Sequence, residues 1–242
     1  MKGGPVTKST GRRQARPFWY KRPFDLTILV LAHVLLLPLW LPLWTCIPLL
    51  VWLEDGGPGF YRQRRAGRDG WVFTILKFRT MAPDGDVNGP TWTTRDDPRV
   101  TRAGKFLRRT ALDELREVLS ILKGDMSLVR PKVLYIKEQE WLEQQIPGFE
   151  QRLLVLPGLT GLAQVYVRTD NAPDKFRYDL AYLERMGPWL DVKLLILSAL
   201  NTIMGRWDHR SGKLTMAAES YRTECRPDVT VEYSRPTDVV DK

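Results

Sequence analysis

The sequence predicts an α/β fold, in which a compact, mostly helical domain carries a small sheet and follows an apolar segment. Two short strands are indicated at residues 60–63 and 71–81, on either side of a glycine turn at 67–70. Helical spacing of apolar residues dominates the later part of the chain. No internal repeat and no glycine-rich phosphate-binding fingerprint occurs, so a separate Rossmann domain is not supported.

The composition favours anionic partners. The 242 residues include 37 Lys and Arg against 28 Asp and Glu, a formal net charge of +9. Nucleic acid, anionic lipid and phosphorylated small molecules all suit such a chain. Cys46 and Cys225 are too few for a disulfide framework or a cysteine zinc site. With only His33 and His209 in dissimilar contexts, catalysis is expected from carboxylates or cations.

The N-terminal part combines a basic tail with a long apolar run. Residues 1–22 contain no acid and form either a disordered tail or a basic patch for anionic lipid. Residues 26–53 contain no Asp, Glu, Lys or Arg, and as a helix they would reach roughly 40 Å, enough to cross a bilayer. A spanning helix and a buried soluble helix are both alternatives here.

Prolines and flanking charges favour a third arrangement of this run. Pro38, Pro42 and Pro48 interrupt it, and each removes a backbone donor. Both flanks are basic, and the positive-inside rule prefers such flanks on the cytoplasmic side. A helix that breaks near Pro38 and returns satisfies both observations. We therefore predict a re-entrant membrane helix over residues 23–53.

The segment 97–132 surrounds an acid pair with cations. Thr110 to Asp113 has capping-box spacing, and later leucines follow at helical spacing, which predicts a helix over 111–123. Asp113 and Glu114 would lie in its first turn, where they either only cap the helix or form a carboxylate nucleophile beside a second carboxylate. The neighbouring cations suit a diphosphate: Arg95, Arg99, Arg102, Lys105, Arg108, Arg109, Lys123, Arg130 and Lys132.

Other segments have plainer interpretations. Lys77 and Arg79 share one strand face, either as a solvated face or as two cations aimed at one anionic ligand. Residues 82–98 are long enough for a substrate loop. Helices are predicted over 134–145, 174–186 and 189–204, with a core strand and turn at 153–161. The last helix is either interfacial or an ordinary core helix.

The chain resembles the bacterial sugar transferases called monotopic phosphoglycosyl transferases, which prime surface-glycan synthesis on a polyprenol carrier. The matching motifs occur in order along the chain: KR and FD within 21–25, FYRQ at 60–63, KFRTM at 77–81, DPRVTRAGKFLRRTALDEL at 97–115, LKGDMSLV at 122–129, PGLTGLAQV at 157–165, and Asp179, Tyr182 and Asp191. The resemblance implies a catalytic domain over 54–205, seated on the membrane by the re-entrant helix and interfacial amphipathic helices, followed by a polar tail at 206–242.

The resemblance also implies roles for individual residues. Asp113 matches the nucleophile that takes up the sugar phosphate, Glu114 matches its catalytic partner, and Pro38 matches the helix break. Asp113 is also the expected ligand of Mg²⁺. The expected phosphate-binding residues are Lys77, Arg79, Arg99, Arg108, Arg109, Arg130 and Lys132.

Several positions depart from the family pattern. Leu37 precedes Pro38 where a serine is usual, and Met186-Gly187 replaces a tryptophan-serine element. In the family's SLVGPRP segment, Arg130 replaces the glycine, Lys132 the arginine and Val133 the last proline. Lysine keeps the charge of arginine but loses its bidentate fork, so substrate identity is open at this point.

The expected reaction moves a sugar 1-phosphate from a UDP-sugar to undecaprenyl or another polyprenyl phosphate and releases UMP. Its expected place is the cytoplasmic face of the bacterial inner membrane, in the priming of exopolysaccharide, capsule, O-antigen or glycoprotein synthesis. A homo-oligomer is allowed for, and nucleic acid is not expected as a partner. The alternatives are an inactive family member and a membrane-anchored basic adaptor that binds anionic lipid or nucleic acid.

Overall fold

A computed structural model of the chain describes residues 19–83, 85, 97–167 and 171–204. The predicted basic tail up to residue 18, the polar C-terminal tail and most of the predicted substrate loop lie outside the described residues.

The apolar run forms two helices rather than one. Helix α1 covers Lys21–Leu35 and helix α2 covers Leu37–Asp55, with the break at Leu36 (φ −105, ψ 19). Pro38 lies in the first turn of α2, where a missing backbone N–H breaks no helical hydrogen bond. Across the break, the Trp40 indole donates to the Ala32 carbonyl at 3.2 Å. The helical conformation therefore breaks at Leu36, next to Pro38, whereas Pro42 and Pro48 lie inside α2.

Helix α2 is the one helix in the described part of the chain that is long and apolar enough to cross a membrane. It has 19 residues and a mean hydropathy of 1.4. Side chains near the break are exposed, with Leu35 at 75% and Leu41 at 63%. An apolar surface of this kind needs a nonaqueous neighbour.

Both ends of the α1–α2 pair attach to the rest of the protein. At the start, Arg22 donates to the Leu122 carbonyl at 2.7 Å, and it also contacts the Ile121 carbonyl. At the end, the Glu54 carboxylate accepts from the Arg102 and Ala103 amides at 2.7 and 3.0 Å. These amides belong to the first turn of the next helix, where a negative charge is favourable.

Two small sheets follow. Strands β1 (Phe60–Ala66) and β2 (Val72–Phe78) pair antiparallel, with Phe60 opposite Phe78, and a 3₁₀ turn at Arg68–Gly70 joins them. The two predicted strands are thus confirmed. Strands β3 (Ser127–Val129) and β4 (Gly158–Thr160) pair parallel.

The predicted helix over 111–123 is wrong as a single element. Helix α3 covers Arg102–Thr110, a 3₁₀ helix covers Leu112–Glu117, and helix α4 covers Val118–Lys123. Ala111 separates α3 from the 3₁₀ helix in a left-handed conformation, with φ of 54°. The predicted capping box is also wrong, because the Thr110 hydroxyl donates back to the Phe106 carbonyl at 2.9 Å.

The later helices agree with the prediction to within two residues: α5 (Ile136–Gln145), α7 (Ala172–Arg185) and α8 (Pro188–Ile203), with a short α6 (Leu162–Tyr166) before α7. The predicted core strand and turn over 153–161 are placed wrongly, since Phe149–Leu154 is a 3₁₀ helix and the strand is Gly158–Thr160, in the part predicted as the turn. Helix α8 buries Leu194 and Leu197 in the main core, as a core helix does.

A buried polar cluster joins the start of α1 to the core. The Lys21 ammonium lies 2.7 Å from the Asp191 carboxylate of α8, and the Tyr182 hydroxyl hydrogen-bonds the same carboxylate at 2.7 Å. The Ser127 hydroxyl of β3 donates to Asp25 at 2.6 Å. Five residues of the sequence motifs thus hold the α1–α2 pair, which we call the apolar hairpin, on the domain.

Candidate active site

Glu114, the second member of the acid pair, contacts two lysines that are distant in sequence. One Glu114 oxygen accepts hydrogen bonds from the Lys77 ammonium at 3.1 Å and the Lys132 ammonium at 2.8 Å. Lys77 comes from the end of β2, and Lys132 follows β3. The 3₁₀ helix packs against β2, so the fold gathers three of the predicted site residues at one point.

A third carboxylate lies behind this group. Glu117 is 1% exposed and its carboxylate lies 2.9 Å from the Lys77 ammonium. A 3₁₀ helix has three residues per turn, which places Glu114 and Glu117 on one edge, both facing Lys77. Glu117 was not predicted as a site residue, although its spacing of three residues from Glu114 is a signal in the sequence.

The pKa values of the two acids of the pair shift in opposite directions. Burial raises the pKa of Asp113 to about 6, although the charge of Lys77 opposes this. Burial also acts to raise the pKa of Glu114, but Lys132 and Lys77 outweigh it and hold the pKa well below its usual range. Asp113 makes no hydrogen bond or ion pair with any described residue. It is therefore a carboxylate free to react beside one that is committed to the lysines.

Arg108 is an arginine whose charge acts on this group. Its Nε donates to the Thr80 hydroxyl at 2.9 Å, and its charge lowers the pKa of Asp113. Gly104 allows α3 to approach, because a Cβ there would overlap the Thr80 carbonyl. Arg109, the next residue, is exposed at the end of α3.

Two other predicted phosphate ligands bind elsewhere in the protein. The Arg79 guanidinium forms an ion pair with Asp55 and donates to the carbonyls of Pro58 and Met81 at 2.6 and 2.8 Å. This joins the end of α2 to the end of β2. Arg99 pairs with Asp97 at 2.6 Å and braces the segment before α3. The structure does not bring either guanidinium to Glu114.

Arg130 also lies away from the acid pair. It is buried, and the groups whose charges act on it are Tyr182, Asp25, Asp191 and Tyr20, next to the polar cluster at the start of α1. Its guanidinium supplies a second positive charge, beside Lys21, for two buried carboxylates. This arrangement accounts for a charged residue at a buried position better than contact with a soluble phosphate does.

A buried ion pair fixes the backbone at Lys132. Arg152 donates from Nη2 to the Lys132 carbonyl at 2.8 Å and from Nε to Asp179 at 2.6 Å. Asp179 was noted in the sequence motifs, but Arg152 was missed, because nothing in its neighbourhood marks it. The pair holds one of the two lysines in position against Glu114.

The comparison with known families decides the identity of this domain. The family model described as "Bacterial sugar transferase" matches residues 16–205. The chain belongs to the bacterial sugar transferase family. The predicted membership is thus confirmed.

Curated relatives of this transferase chain carry related names. It is 38% identical over 72% of its length to "UDP-glucose:undecaprenyl-phosphate glucose-1-phosphate transferase" of Xanthomonas campestris pv. campestris, and spans 37% of that protein. It is 35% identical over 72% of its length to "UDP-N-acetylgalactosamine-undecaprenyl-phosphate N-acetylgalactosaminephosphotransferase" of Aeromonas hydrophila, and spans 42% of it. A Caulobacter vibrioides relative, named like the first, is 36% identical over 69% of the chain and 65% of its own length.

The described residues of this bacterial sugar transferase offer Mg²⁺ a single carboxylate rather than a cage of several ligands. Among the described residues, no three His, Cys, Asp or Glu side chains come together as a metal cage. Mg²⁺ usually takes only one or two carboxylates, together with water and substrate phosphates. Asp113 has a carboxylate that could serve in this way, since no described lysine forms an ion pair with it.

Proposed function

We propose that this bacterial sugar transferase moves a sugar 1-phosphate from a UDP-sugar to undecaprenyl phosphate or another polyprenyl phosphate, releasing UMP as a priming step of surface-glycan synthesis. One observation carries the proposal: an unengaged Asp113 lies beside two lysines held by Glu114, in a domain attached to an apolar helical hairpin. The printed names of the relatives support the substrate classes but differ in the sugar. They give no support to the alternative of a basic adaptor.

In the first half-reaction, an Asp113 carboxylate oxygen attacks the β-phosphorus of the UDP-sugar. The bond from that phosphorus to the bridging oxygen breaks, and UMP leaves with the electron pair. Lys132, Lys77 and Arg108 neutralise charge on the diphosphate. When bound at Asp113, Mg²⁺ supplies further charge stabilisation to the phosphate oxygens.

In the second half-reaction, an oxygen of the lipid phosphate attacks the same phosphorus. The bond between phosphorus and the Asp113 oxygen breaks, which restores the carboxylate and forms a polyprenyl diphosphate sugar. A covalent intermediate suits an interfacial site, because one substrate is soluble and the other stays in the bilayer. The site can therefore meet the two substrates in turn.

The proposed role of Glu114 is to position the two lysines. Its depressed pKa keeps it ionised at neutral pH, so it is poorly suited to carry a proton. Its hydrogen bonds to both ammonium groups support the positioning role.

We further propose that α1 and α2 enter the cytoplasmic leaflet of the inner membrane and return. Both ends of the pair are attached to the same domain, through Arg22 and Glu54. A straight helix of this length would separate those ends by roughly 50 Å. On α8, Trp189, Ile196 and Ile203 are exposed at spacings of seven residues, which supports contact of this helix with the membrane surface.

Cysteine labelling tests this topology. In a background with Cys46→Ser and Cys225→Ser, we expect Ser9→Cys and Arg68→Cys to react with a membrane-impermeant maleimide in inside-out vesicles and not in spheroplasts. The reason is that a returning hairpin leaves both flanks on the cytoplasmic side. Labelling of Ser9→Cys in spheroplasts would show a spanning helix instead.

The pH dependence of the first half-reaction follows from Asp113. The ordinary pKa of an aspartate is 3.8 and the folded pKa of Asp113 is about 6, so the carboxylate becomes its main form as the pH rises through 6. We expect the rate of UMP release to rise over this range and to level off above about pH 7. The rate of UMP release is measured in quenched single-turnover assays. A rate that does not change between pH 5 and 8 would contradict the assignment of Asp113 as the nucleophile.

The function itself is tested by UMP release. Purified protein in neutral detergent is mixed with a panel of UDP-sugars and Mg²⁺, with and without undecaprenyl phosphate. We expect lipid-dependent release of UMP with one donor sugar. Folded protein that releases none with any donor would overturn the proposed reaction.

A further inference from the structure

A cation without an anionic partner lies between the hairpin and the site. The Arg116 guanidinium is 4.0 Å from the ring centroid of Phe60, 4.8 Å from that of Trp44 and 5.9 Å from that of Phe78. We call these three rings the aromatic cage. The Nε of Arg116 is buried without a hydrogen-bond partner among the described residues, and no described carboxylate pairs with it.

The aromatic cage lies at the level where the hairpin leaves the domain. Towards its C-terminal end, α2 packs on the domain through Ile47 and Val51, which are buried. Trp44 is half-buried, and from Leu41 back to the break the side chains are mostly exposed and apolar. On the other arm, Leu29 is the last buried residue of α1. If the uncovered apolar part lies in lipid, Trp44 and Arg116 are at the bilayer surface, a depth that tryptophan favours.

Arg116 also shares an edge of the 3₁₀ helix with Asp113. Side chains three residues apart eclipse one another in this kind of helix, at a separation of about 6 Å along the axis. The same rule accounts for the joint contact of Glu114 and Glu117 with Lys77. A phosphate group bound by Arg116 would therefore lie on the side of the helix that carries the nucleophile.

The environment of Arg116 suits a phosphate ligand. Burial lowers its pKa, which means that the charged group has lost part of its hydration without gaining a counter-ion. The aromatic faces stabilise the cation. The guanidinium fork then matches phosphate oxygens, and each contact is a charge-assisted hydrogen bond.

We propose that Arg116, held in the aromatic cage, binds the phosphate of the acceptor polyprenyl phosphate at the bilayer surface. This rests on the proposed function, which makes a lipid phosphate the second substrate. The inference adds a binding residue for the lipid phosphate and places that phosphate beside the hairpin rather than between Lys77 and Lys132.

The test compares Arg116→Gln and Arg116→Lys with the wild type in neutral detergent micelles. Arg68→Gln, at the exposed turn between β1 and β2, is the control. For Arg116→Gln, we expect the KM for undecaprenyl phosphate to rise about ten- to a hundredfold, the usual effect of losing charged hydrogen bonds, while the KM for the UDP-sugar stays within about twofold. Arg116→Lys should fall between, because it keeps the charge but loses the fork.

A binding arm separates this inference from the proposed reaction. A fluorescent short-chain polyprenyl phosphate, and the matching polyprenol without phosphate, are titrated into each protein. Phosphate-dependent binding that is weakened by Arg116→Gln supports the inference even if the wild type releases no UMP. Equal acceptor binding by Arg116→Gln and wild type overturns the inference, as does an equal loss of donor and acceptor affinity. Flotation with vesicles that contain phosphatidylglycerol gives the third outcome. If Arg116→Gln weakens only this flotation, Arg116 binds bulk headgroups and the inference is overturned.

Discussion

The Asp113→Asn variant is expected to release no UMP above background while staying folded and membrane-bound. The amide has the shape of the carboxylate but is not a nucleophile. Asp113 makes no hydrogen bond or ion pair with a described residue, so the substitution breaks neither kind of contact with those residues. Its raised pKa means that the ionised form costs stability above pH 4, and a neutral amide removes that cost. We therefore expect the thermal midpoint to stay level or rise.

The measurement uses a UDP-sugar radiolabelled in the sugar, without acceptor lipid. The reaction is quenched in acid, and label that stays bound to the protein is counted. Wild type should retain label at Asp113, and the Asn variant should retain none. Asp69→Asn, in the exposed turn between β1 and β2, is the matched control and should behave as wild type. An Asp113→Asn variant that still turns over would remove the covalent mechanism altogether.

Sequence patterns anticipated the elements of this fold better than their junctions. Helices α5, α7 and α8 and the β1–β2 pair follow from periodicity and turn residues, which act locally. The break at Ala111 does not, because alanine has no preference for the left-handed conformation that it adopts there. The 3₁₀ helix that follows Ala111 packs on β2, and a tertiary contact of this kind has no local signature in the sequence.

At the site, too, some features could be predicted from the sequence and others depend on tertiary contacts. Lys77, Glu114 and Lys132 were identified from charge and resemblance, and the structure brings them together. Arg79 and Arg130 were identified in the same way, but the structure gives them other surroundings. Their neighbours are acids far along the chain, such as Asp55 for Arg79. Closeness of a cation to a motif in sequence therefore does not establish closeness to the reacting groups.

The Lys77→Met variant is expected to lose both stability and activity. Lys77 lies between Glu114 and Glu117, and its side chain is 13% exposed. Without it, Glu114 keeps Lys132, but the nearly inaccessible Glu117 has no other ion-pair partner among the described residues. Removal of one member of a buried pair typically costs about 3–5 kcal/mol. Denaturant titration in detergent should show this loss, and UMP release should fall with it.

The double variant Lys77→Met with Glu117→Gln separates the two losses. The amide removes the unpaired charge, so we expect at least half of the lost stability to return. Activity should not return, because the positive charge that faces Glu114 and the diphosphate is still missing. Equal stability of the single and double variants would mean that Glu117 is not the source of the cost. Recovery of UMP release in the double variant would show instead that Lys77 serves only to neutralise Glu117, and would leave Lys132 as the lysine on which phosphate binding depends.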